Sequence, residues 1–446
     1  MARSRDPSEL VTSFRGPGRN AGPVSFRRPK TEDRRPKTED RRPNPVNPLG
    51  IRFTTAGESH GPALISLVEG VPAGLPLLAG DVDEQLVRRQ QGYGRGRRMQ
   101  IERDHVEFLS GVRAGETIGS PVAMLIPNRD WSNWREIMDP APRPEDSEEG
   151  RKRQVTRVRP GHADLTGLLK YDRDDARDIL ERASARETTA RVAAGAVCRK
   201  LLAEFGVTIG SHLVHLGGID AERPDPFPTD LNAAADLSSL RTLDADAEAR
   251  MVARIDAAKA EGNTLGGICE VVVDGLPVGL GSHVSWDRKL DGRLAGAMLS
   301  IPAVKGAEIG MGFEAARRQG SEVHDEIEMA RDSARTGNVR RKTNRAGGLE
   351  GGMTTGEPLV VRVAMKPIST LMKPLGTIDT KTAAPAAATA ERSDVTAVPA
   401  MGVIAEAMAA LVLANAFVEK FGGDSLTELR RNHDAYISHI ATRLRG

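Results

Sequence analysis

The sequence predicts one large α/β domain behind a disordered N-terminal extension. Three observations lead there. Strand-like and helix-like patterns alternate from residue 49 to the end of the chain with no linker between them. The first 48 residues are rich in Arg and Pro and poor in large apolar side chains, so they cannot bury enough surface to order themselves. The chain has 446 residues; at ~150 residues per domain that length would allow two or three domains, but the unbroken patterning favours a single one.

The extension, residues 1–48, carries a heptad. RRPKTED runs from Arg27 to Asp33, repeats unchanged from Arg34 to Asp40, and begins again at Arg41. A basic tail of this kind could touch nucleic acid or an acidic partner, but its composition favours a plain appendage. The domain proper, residues 49–446, opens with a strand over Ile51 to Thr55, the tight loop GESHG (Gly57 to Gly61) and a second strand over Ala63 to Val68. Asp81 is placed to cap a helix from Val82 to Gln91, which Gly92 ends. Val106 to Gly111 and Val122 to Ile126 read as strands. Pro140 to Arg159, acidic and then basic, reads as a mobile loop. Beyond it, Asp174 or Asp175 starts a long helix reaching Gly206, with Ile179, Ala183, Ala190, Ala193, Val197 and Leu201 at helical spacing. Ala247 to Lys259 reads as a helix, and Ile268 to Val273 and Leu359 to Met365 as strands. Ser321 to Arg345, polar and Gly-punctuated, reads as a long flexible loop. Met401 to Val418 is the most apolar stretch, but Glu406, Asn415 and many Ala make it a buried helix rather than a membrane span.

Composition excludes several function classes. Lys and Arg total 63 and Asp and Glu 61, a net charge of +2, so there is no global case for nucleic acid or membrane. Aromatics are 3% of residues, too few for a base-stacking platform. Cys198 and Cys269 form no C-x-x-C pair, so they read as buried thiols in a reducing compartment, and no metal site is expected. The first fifty residues hold no apolar segment of the secretory kind. The expected location is the cytoplasm.

The chemistry must therefore come from local clusters. Two histidines sit in Gly-rich turns, His60 in GESHG and His162 in RPGHAD. Histidine exchanges protons near neutral pH, and a Gly-rich turn lets backbone approach a ligand. A single such histidine is more often a structural hydrogen-bonder; two together suggest acid–base catalysis. Arg88 and Arg89 close the first helix, and YGRGRR (Tyr93 to Arg98) follows. Arginine on a permissive backbone suits phosphate or carboxylate, although a lone loop of this kind is usually a solvated turn. A second cluster on the expected helix holds Arg182, Arg186 and Arg191 with Ser184, Thr188 and Thr189; Arg182 and Arg186, four apart, would share a face. NRAGGLEGGMTTG (Asn344 to Gly356) implies close backbone approach to a flat or phosphorylated group, but it matches neither the P-loop nor the dinucleotide fingerprint. KPIST (Lys366 to Thr370) and RSD (Arg392 to Asp394) add cations, hydroxyls and a carboxylate. Read this far, the residues describe an enzyme that binds poly-anionic small molecules and uses one or two histidines as acid or base.

Three long stretches together resemble the chorismate synthase family: TAGESHGPALISLVEGVPAG (Thr55 to Gly74), RPGHADLTGLLKYDRDDARDILERASARETTARVAAG (Arg159 to Gly195) and RSDVTAVPAMGVIAEAMAALVLANAFVEKFGGDS (Arg392 to Ser425). YGRGRRM, NRAGGLEGGMTTGEP and MKPIST fall between them in the family's order. The resemblance spans nearly all of residues 49–430 and looks closest to actinobacterial members of the bacterial type. It implies a β-α-β sandwich with helices packed between sheets, a homotetramer, and anti-1,4 elimination of phosphate from 5-enolpyruvylshikimate 3-phosphate (EPSP) to give chorismate. That lyase reaction uses reduced FMN without net redox change, at the last common step toward the aromatic amino acids.

Carried over by motif, His60 would help protonate the departing phosphate and His162 would protonate or orient the reduced flavin. Asp394 would assist proton removal from the substrate by way of the flavin. Flavin contacts would come from Arg182, Ala183 and Ser184, from Pro302 and Ala303, from Gly351, from Lys366, Pro367, Ile368, Ser369 and Thr370, and from Arg392. Pro302 departs from the polar residue the family often has there and offers no donor. Arg89 and Arg95 match positions assigned to NADP, and in a monofunctional enzyme they would hold substrate anions. The resemblance leaves two sources of reduced flavin open, NADPH as the reductant or a separate flavin reductase. The competing readings are a non-catalytic flavin- or phosphate-binding protein, a bifunctional enzyme that reduces its own flavin, and a nucleic-acid binder acting through the N-terminal tail.

Overall fold

The computed structural model describes residues 50–96, 103–142, 153–331, 333–389 and 394–444. The N-terminal extension, the end of YGRGRR, half of the acidic–basic segment, and Arg392 lie outside the described residues. Contacts divide the chain into two units, residues 1–48 and 49–446. The second unit holds both of the larger sheets and the helices.

In chain order its main elements begin with β1 (Arg52–Ala56), β2 (Ala63–Glu69), α1 (Ala79–Gln90), β3 (Glu107–Ser110) and β4 (Val122–Pro127). Then come α2 (Asp164–Tyr171), α3 (Arg177–Leu180), α4 (Thr188–Ala203), β5 (Thr208–Leu216), β6 (Ile219–Asp220) and α5 (Ala245–Ala260). The last group is β7 (Gly267–Asp274), α6 (Leu290–Leu299), β8 (Val304–Ile309), β9 (Leu359–Met365), α7 (Val398–Phe421) and α8 (Leu426–Arg443). One sheet has the order β1-β2-β4-β3 and the other β8-β9-β7-β5-β6, and the pairings in both are antiparallel.

The four-stranded sheet buries one face, as period-two patterning requires, while β5 and β7 of the other sheet are buried on both faces along much of their length. Leu64, Ser66 and Val68 of β2 and Val122, Met124 and Ile126 of β4 are fully buried. So are Val271 and Val273 of β7 and Leu359, Val361 and Val363 of β9. Between the buried faces lie the helices. α4 packs on β1 and β2; α7 packs on β5, β7 and β9; and α4, α1 and α7 pack on one another. The result is the expected sandwich with helices between two sheets.

α7 is apolar because of this position. It is long and hydrophobic enough to cross a membrane, but 89% of its most apolar window is buried inside the protein. A helix covered on all sides must be apolar all round. Its Ala and Gly content sets how closely the layers approach. A Cβ added at Gly195 of α4 would lie 2.4 Å from Ala407 Cβ and 2.6 Å from Ala407 Cα on α7. Gly195→Ala therefore should lower stability by roughly 1–3 kcal/mol through overpacking, against a helix-propensity gain of at most ~1 kcal/mol. A reduced urea midpoint would show this; an increased one would mean that the helices slide apart at no cost.

Three expectations need correction. Asp81 does not cap α1: Leu78 holds that position, and Asp81, three residues on, accepts a hydrogen bond from the Leu78 amide at 2.7 Å. The long helix expected from Asp174 or Asp175 to Gly206 is broken. α3 ends at Leu180, Ser184 is extended at ψ 145°, and α4 begins at Thr188. Arg182 and Arg186 consequently do not share a helix face. Finally, Ser321 to Arg345 is not a bare loop. Ile327–Met329 and Val339–Arg341 pair as a hairpin, with Arg340 bonded to Glu328 at 2.6 Å across it.

Candidate functional site

Three motifs singled out by their sequence, YGRGRR, KPIST and RSD, meet around one cavity of about 790 Å³. Its wall includes Gln90, Gly92 to Gly96, Lys259, Thr264, Thr370 and Asp394. The loop after α1 supplies Arg95, whose Nε lies 3.2 Å from Asp394 Oδ2, while the Gly96 amide donates to Asp394 Oδ1 at 2.5 Å. Thr370 ends the KPIST stretch. Its hydroxyl accepts from Arg159 Nη1 at 3.2 Å, and Arg159 opens the RPGHAD turn.

That turn holds His162 against KPIST. Lys366 Nζ donates to Gly161 O at 2.5 Å. Gly161 has φ +76°, and a Cβ there would lie 3.2 Å from Lys366 Nζ and 3.8 Å from Ser369 Cβ. Glycine answers both the backbone and the space. The Lys366 amide donates to Ala303 O at 3.0 Å, and Ala303 has the uncommon φ of +67°. Ile368 O accepts from Thr264 Oγ1 at 2.7 Å. His162 Nδ1 is 2.5 Å from Asp164 Oδ1. Asp164 is completely buried and is gripped by Arg159, from Nε at 2.8 Å and from Nη2 at 3.1 Å. Burial pushes its carboxyl upward, but the hydrogen bonds and charges of His162 and Arg159 outweigh that and hold it well below the usual carboxylate range.

His60 is mounted in the same way on another carboxylate. The GESHG loop needs its first glycine, since a Cβ on Gly57 (φ +102°) would sit 2.4 Å from Ala63 O. His60 Nδ1 lies 3.0 Å from both Glu181 oxygens, and its amide donates to Glu181 Oε2 at 2.9 Å. Arg177 Nη1 donates to Glu181 Oε1 at 2.9 Å. Glu181 is buried, which raises its pKa; His60 and Arg177 reverse that and leave it below the ordinary value. The His60 ring stacks on Trp134 with centroids 3.8 Å apart, and the Arg153 and Arg177 guanidinium groups lie over the same indole at 4.3 and 5.0 Å.

The break between α3 and α4 joins this loop to the arginines. Arg182 donates to Thr55 O at 2.8 Å and Gly57 O at 3.1 Å, Ala183 continues the α3 turn by bonding Ile179 O, and Ser184 Oγ donates to Ser59 Oγ at 3.1 Å. Arg186 is buried against Asp104 at 2.5 Å and Asn128 at 3.0 Å. Asn128 in turn donates to Gly61 O at 2.7 Å. Arg89 is also buried, donating to Thr188 Oγ1 at 3.0 Å and Ala185 O at 2.8 Å. Its Nη1 makes no hydrogen bond and lies 3.8 Å from Asp104 Oδ2. Burial is the main cause that lowers its pKa to about 9, with Asp104 opposing and Arg95 and Arg186 adding to the fall. Gly351 turns a separate hairpin, Leu349–Glu350 with Met353–Thr354, at φ +59° and near His283. Pro302 precedes Ala303 in the turn before β8.

The structure therefore brings His162, Lys366, Ser369, Thr370 and Ala303 together, and places Asp394 and Arg95 on the cavity that Thr370 lines. His60, Arg182 and Ser184 form a neighbouring cluster tied to Arg89 and Arg186. Spacing alone missed Asp164, Glu181, Trp134, Arg159 and Arg177. Of these, Asp164 sits two residues from His162 and could have been read as its partner. Cys198 and Cys269 are buried and unpaired, and burial pushes both thiols up to about 12, so neither is a nucleophile.

Comparison with known proteins decides the family. The chorismate synthase family model matches residues 51–418. The chain belongs to the chorismate synthase family. It is 57% identical over 395 residues to a chorismate synthase of Geobacter metallireducens, covering 87% of this chain and 99% of that one. It is 56% identical over 395 residues to that of Symbiobacterium thermophilum, covering 88% and 100%. A crystal structure of a chorismate synthase matches with a TM-score of 0.70 at 42% identity, over 88% of this chain and 99% of that one. The reaction is the chorismate synthase family's, loss of phosphate from the small molecule EPSP to give chorismate. It is a lyase step of the shikimate pathway, and the family requires a reduced flavin for it.

Proposed function

We propose that the cavity between Gly92–Gly96, Thr370 and Asp394 takes reduced FMN together with EPSP, and that His60, His162 and Asp394 handle the protons. The observation that carries this reading is the contact chain His162–Arg159–Thr370, which sets an acid–base histidine beside the cavity that Asp394 and Arg95 wall. EPSP brings a phosphate and two carboxylates, and FMN a further phosphate. Arg95 and Lys259 on the cavity, with Lys366 in the KPIST stretch whose Thr370 lines it, suit that load in a chain whose net charge is only +2.

Three groups fit the flavin: the backbone and hydroxyls of Lys366, Pro367, Ile368, Ser369 and Thr370, the turn at Pro302 and Ala303, and Arg182, Ala183 and Ser184. Gly351 and Arg392 are assigned to it by motif alone. When bound, the reduced ring supplies electron density to the breaking C–O bond, chemistry that side chains lack. His162 would hold a proton at Nε2 for the flavin. His60 would give one to the departing phosphate. Asp394 would receive the proton lost from the substrate.

Arg89 is engaged with Asp104, Ala185 and Thr188. That favours a flavin reduced by a separate reductase over NADPH bound at Arg89 and Arg95. Cytoplasmic location and a homotetramer complete the reading, with residues 1–48 as an appendage. Deleting residues 1–48 should leave turnover unchanged, and loss of activity would assign the tail a role. The deciding experiment is an anaerobic assay with chemically reduced FMN and EPSP, following chorismate absorbance. Chorismate is expected only when the flavin is reduced. Flavin bound without turnover would favour a non-catalytic flavoprotein, and NADPH oxidation with added FMN would reveal a bifunctional enzyme.

A further inference from the structure

His60 and His162 come from different loops, yet they are mounted alike. Each presents Nδ1 to a buried carboxylate, and each carboxylate is clamped by an arginine from its own segment. Glu181 serves His60 with Arg177, at 3.0 and 2.9 Å. Asp164 serves His162 with Arg159, at 2.5 and 2.8 Å. Both carboxylates are nearly inaccessible, Asp164 at 0% and Glu181 at 2% exposure, whereas the His162 and His60 side chains are 17% and 18% exposed. An ionised carboxylate only accepts hydrogen bonds. Nδ1 must then carry the hydrogen in both rings, and Nε2 is the atom left to exchange a proton.

We propose that Asp164 and Glu181 are positioning residues that fix both histidines in the Nδ1–H form, so that each works at Nε2. This rests on the catalytic roles proposed above for His60 and His162. Among the described residues, the following charges face each ring. His162 faces Asp164, the Arg159 Nη2 group at 3.1 Å, and the Lys366 ammonium bonded to the adjacent Gly161. His60 faces Glu181 and through it Arg177, with Arg153 across Trp134. Arg159 Nη2 could donate to a bare Nδ1 of His162, but it lies at 3.1 Å while the Asp164 oxygen lies at 2.5 Å, so the carboxylate, which needs a hydrogen on Nδ1, holds the closer contact. They hold the carboxylates ionised and in plane. Trp134 fixes the His60 ring from its face, so Glu181 sets the tautomer and Trp134 the tilt.

The protein should show this before any turnover. In solid-state NMR of the intact enzyme labelled with ¹⁵N-histidine, the neutral rings of His60 and His162 are expected as Nδ1–H, Nε2-bare tautomers, assigned by loss of each signal in His60→Ala and His162→Ala. Asp164→Ala and Glu181→Ala should shift the corresponding ring toward the Nε2–H tautomer. They should also lower kcat by ~10²-fold, as loss of a correctly presented acid does, with KM little changed. Asp164→Glu and Glu181→Asp should restore part of kcat together with the tautomer. A purely structural carboxylate would affect folding or KM without moving the tautomer. An Nε2–H tautomer in the unmodified enzyme overturns the proposal even if no variant folds. Should His60→Ala and His162→Ala stay active while the tautomers are as stated, the catalytic roles fail and the positioning geometry stands.

Discussion

Replacing His162 by Ala should cut turnover by ~10²-fold or more with reduced FMN supplied in excess, the size of effect expected when a positioned acid is removed. His60→Ala should do the same. Neither change should unfold the protein, because both side chains are only part-buried and each sits at the edge of a network that survives its loss. After His162→Ala, Asp164 keeps both bonds to Arg159. After His60→Ala, Glu181 keeps Arg177. The informative measurement is single-turnover chorismate formation beside flavin affinity. A large drop in rate with flavin binding retained assigns His162 to proton handling. A matching loss of flavin affinity would make it a binding residue instead. Near-normal rates in both variants would sink the assignment of roles without touching the family.

Much of this site was legible in the sequence because its groups sit in Gly-rich turns, where permissive backbone and chemistry-bearing side chains occur together. The strands were legible for a different reason: Leu359 to Met365 and Val122 to Ile126 are short apolar runs rich in Val and Ile. What was hidden depends on distance along the chain. Glu181 is 121 residues from His60, and Arg186 is 82 residues from Asp104, so no spacing rule links them. The break after Leu180 was masked because apolar periodicity continues through Ala183 and Ala190. The chain leaves the helix there so that Arg182 and Ser184 can reach β1 and the GESHG loop. The Ile327–Met329 hairpin escaped notice because its short strands are stabilised by charged cross-strand pairs rather than by an apolar face.

The largest effect on stability should come from Glu406, a residue that the catalytic reading does not use. It lies in the middle of α7, 1% exposed, where an isolated charge would be prohibitive. Arg88 donates to both its oxygens at 2.8 and 3.0 Å, Arg199 at 2.7 Å and Arg241 at 3.1 Å, and Ser211 adds a hydroxyl at 2.6 Å. One carboxylate thus ties α1, α4, α7 and β5 together. Glu406→Ala would leave three cations around a cavity with only Asp236, paired with Arg88 and Arg241, as counter-charge, and removing one partner of such a buried set costs about 3–5 kcal/mol. That is a large fraction of the ~5–15 kcal/mol by which a folded domain exceeds its unfolded state. Burial raises the Glu406 pKa, but Arg88, Arg199 and Arg241 together drive it far below the ordinary value. A depressed carboxyl stabilises the fold fully above its unfolded pKa of about 4.3 and loses that contribution as pH falls toward the native value. Urea unfolding from neutral pH down to ~3 should therefore show stability falling more steeply in the unmodified protein than in Glu406→Gln, the two curves converging in acid. Parallel curves would mean that Asp236 and solvent suffice to balance the arginines, and that Glu406 is a spectator in its own network.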